Sequence, residues 1–143
     1  MQIVSFLRPS AAVVIITFFV TASGVYHATA SEKPATIVVR CNADDGLSLR
    51  LRDALVNAFS SSADFKLDNG KEVEPNALIV TIPSNVGWKR VAGREQVLYT
   101  VTFATADGSY MGTTEGSCWA DALASCSAKI VKRASEIAAR EHK

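Results

Sequence analysis

Three chemistries are open to the side chains of this chain. Trp88 stands between Gly87 and a cationic run, Lys89 and Arg90, with Arg94 four residues further on. An aromatic ring among cations is the kind of set that anchors protein interfaces. Asp44 and Asp45 form an adjacent carboxylate pair that could hold a cation or act as general acid and base. Cys41, Cys118 and Cys126 supply thiols for a bridge, a metal or a nucleophile.

Most of these possibilities narrow at once. Of two histidines, His27 lies in an amino-terminal segment read below as removed, and His142 lies at the carboxyl end, where fraying is expected. A Ser/His/Asp or Cys/His set would rest its base on that end, and a histidine-built metal site fails on the same count. No C-x-x-C motif activates a thiol. Asp44 and Asp45 lack the spaced oxygen ligands of a calcium loop, and capping a following helix accounts for them. The sequence therefore predicts no catalytic residue, no metal and no cofactor. A hydrolase built on Asp44 or Asp45 is the enzyme reading that remains to be tested.

The first thirty residues read as a secretory signal peptide. Arg8 precedes the apolar run Ala11 to Val20, too short to span a bilayer, and Ala28-Thr29-Ala30 forms an A-x-A cleavage signal. An uncleaved anchor is the alternative. No cysteine lies at the cut to carry a lipid, so no stable membrane anchor is expected after cleavage at Ala30. Residues 31 to 143 then carry fourteen basic and fourteen acidic residues, which gives no global electrostatic case for nucleic acid. Their length suits one domain with its own core.

The elements that would position these groups follow from pattern. Ala35 to Cys41 is rich in β-branched residues and predicts a strand. Leu47, Leu51, Ala54, Leu55, Ala58 and Phe59 form a helical stripe behind the Asp44-Asp45 cap. Asp64 to Leu67 suggests a short edge strand, and Ala77 to Ile82 a buried one ended by Pro83. Ser84 to Glu95 reads as a connector. Gln96 to Thr105 alternates as a half-buried strand, and Asp107-Gly108 predicts a hairpin returning through Ser109 to Thr114. A long helix places Trp119, Leu123, Cys126, Ile130, Ala134 and Ile137 on one apolar face. Its cations Lys129, Lys132, Arg133, Arg140 and Lys143 suit the negative end of the helix dipole, with weak attraction to anionic surfaces as a further use.

The expected fold is α+β: a two-layer sandwich with a four- or five-stranded, mainly antiparallel sheet and two amphipathic helices, in the order β-α-(β)-β-β-β-α. An open sheet with helices on opposite faces is the alternative.

Three cysteines allow one bridge. On a regular helix Cys118 and Cys126 would lie about 12 Å apart, too far to pair. A turn at Gly116-Ser117-Cys118 that places Cys118 ahead of the helix makes Cys118–Cys126 the favoured bridge, with Cys41 buried. Cys41–Cys118 is the competing pair if their strand ends share an edge of the sheet.

The run Cys41 to Gly46 ahead of a helix, with Gly116-Ser117-Cys118 and Cys126, resembles a group of small secreted bacterial proteins of unknown function with a Gly-x-Cys-x7-Cys pattern. The element order is also similar to amino-terminal TolB-like envelope domains. These resemblances imply a periplasmic protein-binding module.

The function expected is thus a small, non-enzymatic periplasmic or secreted module that binds an envelope protein through Trp88, Lys89, Arg90 and Arg94. The alternative is an inhibitor or immunity-type protein acting on an envelope hydrolase. A bland reading stays open beside both, in which Trp88 packs on its own sheet and the cations are solvated. Partner identity and oligomeric state are not set by the sequence.

Overall fold

A computed structural model describes residues 33–141. The segment read as a signal peptide and His142 lie outside the described residues. Eight elements follow in order: β1 Ala35–Cys41, α1 Gly46–Ser60, β2 Phe65–Leu67, β3 Leu78–Ile82, β4 Gly87–Val91, β5 Arg94–Thr105, β6 Tyr110–Trp119 and α2 Leu123–Glu141. The class is α+β as expected, with six strands in one mixed sheet.

The half of the sheet built first is parallel. β1 runs parallel to both β2 and β3, with Ile37 opposite Leu67 on one side and Leu78 on the other. The rest is antiparallel and organised on β5, whose twelve residues serve three partners. β6 covers one edge of β5 from Gln96 to Ala104. β3 and β4 share the other edge, β3 against Leu78↔Thr105 to Thr81↔Thr102 and β4 against Gly87↔Leu98 to Val91↔Arg94. From Thr81 to Gly87 the chain uses two more residues than β5 does between Thr102 and Leu98, so Pro83 to Val86 loop out and the strand resumes as β4.

Both helices lie on one face, which excludes the arrangement with helices on opposite faces. Leu51, Leu55 and Phe59 of α1 and Cys126, Ile130, Ala134 and Ile137 of α2 join Ile37, Val80, Val97, Val101 and Phe103 in a single core. Phe59 meets Phe65 edge to face, with ring centroids 5.2 Å apart, which fixes the three-residue β2 as a true strand. Among the described residues, the other face of β1 and β3 is covered by the Asp68 to Ala77 loop, whose Val73 and Ala77 pack on Val38 and Ile79.

Two sequence expectations change. The hairpin after Asp107-Gly108 forms, but β6 runs on to residue 119, so Trp119 ends a strand and does not start the second helix. Its register partner is Gln96, on the face away from the helices, and the ring is half-buried there instead of packed in the core. Ser84 to Glu95 is not a plain connector, because β4 and the start of β5 pair within it.

Candidate functional site

The Trp88 segment is a β-hairpin with a two-residue turn. Ala92 and Gly93 both have positive φ, 49° and 79°, the type I′ geometry whose twist matches the flanking strands. Glycine takes that conformation freely, whereas Ala92 takes it at a steric cost.

Register divides the expected contact set in two. Trp88 is opposite Val97 and Arg90 is opposite Glu95, so both project on the helix side. The Arg90 guanidinium lies 3.6 Å from the Glu95 carboxylate. Lys89, opposite Gln96, and Arg94, opposite Val91, project on the other side. Arg94 is engaged within the fold. Its guanidinium stacks 4.4 Å over the Trp119 ring and donates to both oxygens of Asp121 at 3.1 Å. Lys89 is exposed, Arg90 is held by its pair with Glu95 alone, and Trp88 is 62% exposed.

Trp88 is not packed into the core. With Glu95 it walls a groove of about 480 Å³ whose other side is the start of α1, at Asp45, Gly46, Leu47 and Arg50. Arg50 is held by donating to the Ala120 carbonyl at 3.0 Å. The helix end offers no free anion site, because the Asp45 carboxylate caps it, accepting from the amides of Leu47 and Ser48 at 3.0 Å each. The Ser48 hydroxyl also donates to this carboxylate and, as the largest influence, holds the Asp45 pKa below its ordinary value. Of the aspartate pair only Asp45 caps. The Asp44 amide donates instead to the Asn85 side chain at 3.3 Å.

Ser48 is the site residue that sequence reasoning missed. Fully buried, it donates to Asp45 and accepts from the Val86 amide at 2.9 Å, which ties the root of the hairpin to the helix cap. The Asp-x-x-Ser spacing was its only local signal; the Val86 bond spans 38 positions.

Cys118 and Cys126 are bridged, with Cα atoms 5.6 Å apart, across the turn from β6 to α2. Cys41 is a free thiol, half-buried instead of buried, and donates weakly to the Ala43 carbonyl at 3.6 Å. Among the described residues no three His, Cys, Asp or Glu side chains meet as metal ligands, and no helix is long and apolar enough to cross a membrane. The bridge is compatible with a periplasmic or secreted protein.

No family model matches the chain, and no curated protein sequence matches it. Its fold is similar to that of a Xanthomonas campestris protein described under DUF330, at a TM-score of 0.56 and 8% identity over 78% of this chain and 89% of that one. Looser likenesses are to a PelC variant from Paraburkholderia phytofirmans described as a dodecamer, at a TM-score of 0.46 and 12% identity over 71% of this chain and 85% of that one. TolB from Acinetobacter baumannii aligns at 0.43 and 13% identity over 69% of this chain and 27% of its own length. The first likeness shows a shared fold.

Proposed function

We propose that this is a non-enzymatic module of the periplasm or the secreted space, delivered by the segment 1–30, which contacts an envelope protein through the helix-side face of the β4–β5 hairpin. The observation that carries this reading is Trp88, 62% exposed yet mounted on a paired strand. A large ring held in place loses little conformational freedom on binding, and burying it contributes about 2 to 3 kcal/mol. Arg90 shares the ring's face as a cation, Lys89 adds charge from the opposite face of the same strand, and Arg94 acts through Trp119 as a structural brace and leaves the contact set.

Trp88→Ala tests the reading. Capture of a partner from a periplasmic extract should be lost while the melting temperature stays within a few degrees of the parent. Loss of folding would place Trp88 in the structural framework, and undiminished capture would place the contact elsewhere. If the parent protein also slows peptidoglycan cleavage and Trp88→Ala does not, the same hairpin serves the inhibitor role.

A further inference from the structure

The sheet ends in strands whose outer edges differ in protection. β2 has three residues, and β4 has five with Lys89 and Arg90 among them. Short length and basic side chains are common guards against unwanted strand pairing. β6 has neither: ten residues long, it holds no lysine or proline and a single charge, Glu115. Among the described residues it pairs with β5 alone.

The ladder shows what this edge displays. Ala120 donates to the Glu95 carbonyl at 2.9 Å, and antiparallel bonding alternates, so Cys118, Gly116 and Thr114 turn their backbone groups toward β5. Thr113, Glu115, Ser117 and Trp119 turn theirs outward. Above the edge, on the helix side, Arg133 of α2 reaches over β6 to within 3.9 Å of where a side chain at Gly112 would begin, while donating to the half-exposed Glu136 carboxylate at 3.0 Å. Lys129 lies one turn earlier on the same face of α2. At Gly116 the missing side chain is replaced by Tyr99, whose hydroxyl oxygen lies 2.5 Å from where a Cβ would stand. Tyr99 belongs to the core, and burial pushes its pKa up.

We propose that β6 is a strand-addition edge that takes an extended acidic segment of a partner protein. The segment's backbone pairs with Thr113, Glu115, Ser117 and Trp119, and its helix-side carboxylates meet Lys129 and compete with Glu136 for Arg133. A second copy of this chain fits less well. The helix-side residues of its β6 are Thr114, Gly116 and Cys118, which bring no countercharge, and antiparallel pairing about Gly116 would bring Lys129 toward its own counterpart. This surface does not depend on the Trp88 hairpin.

The probe is a synthetic peptide, Thr-Glu-Val-Glu-Val-Glu-Thr, read by amide hydrogen exchange on the full chain. At ten times its dissociation constant it should slow exchange at the four outward amides by about tenfold, as mass action requires, and its lysine-for-glutamate counterpart should not. Ser117→Pro removes an outward N–H without touching the β5 ladder and should abolish the effect. Lys129→Glu, at an exposed position, should weaken the acidic peptide and favour the basic one. Trp88→Ala should change neither. Equal protection by both peptides, or none, overturns the proposal. So does protection that rises with protein concentration in the absence of peptide, which would make the occupant a second copy.

Discussion

The hydroxyl of Ser48 accepts the amide of Val86 at 2.9 Å while donating to the Asp45 carboxylate, so one buried side chain joins the cap of α1 to the root of the Trp88 hairpin. Ser48→Ala leaves that amide without its partner and should cost about 1 to 3 kcal/mol, seen as a lower urea midpoint at unchanged slope. An unchanged midpoint would mean the hairpin root is held by other contacts.

Acid should weaken the fold through three carboxylates. Hydrogen bonds from Ser48 to Asp45, from Thr36 to Glu74 and from Thr105 to Asp107 are the leading causes that hold each pKa below its ordinary value. A depressed folded-state pKa gives stability that is fully present above the unfolded value and is lost as pH falls through the folded one. Urea midpoints should therefore stay level near neutrality and fall below about pH 4. Replacing Asp45 and Asp107 with Asn should make that fall shallower, and a slope as steep as the parent's would count against the assignment.

Tyr99 and Gly116 depend on each other. A methyl group at 116 would stand 2.5 Å from the Tyr99 hydroxyl oxygen and 2.8 Å from the ring carbon that bears it. Gly116→Ala should destabilise by about 1 to 3 kcal/mol through overpacking. Tyr99→Leu makes room, so the double variant should fall short of the summed losses by about 1 kcal/mol. Strict additivity would show that β6 moves aside instead.

Thiol titration under denaturing, non-reducing conditions should find one free thiol per chain, from Cys41. Cys126→Ala opens a short loop and should lower stability by about 2 to 3 kcal/mol in the chain-entropy account. Cys41→Ser should leave the bridge intact. Two or more cysteines that must be replaced before the free thiol disappears would point to a different pairing.

The local elements were legible because they carry their own periodicity. The stripe through Leu51, Leu55 and Phe59, the cap at Asp45, the Asp107-Gly108 turn and the β-branched run from Ile37 to Val39 each state a local preference that tertiary packing reinforces. β4 was not legible. Every residue in Gly87–Val91 is exposed, so no apolar alternation marks the strand, and Ala92 disguises a turn that asparagine or glycine would have announced.

By itself the sequence determined the two-helix α+β class, the near absence of histidine from residues 31 to 143 and the feasibility of a bridge near the second helix, because these follow from composition and short-range pattern. Tertiary structure alone decided that Trp88 and Arg90 share a face while Arg94 turns to Trp119, that Ser48 reaches Val86, and that β6 is left as an open edge. Each depends on which residues pair across strands distant in sequence. A shift of one residue in that pairing would send every side chain to the opposite face.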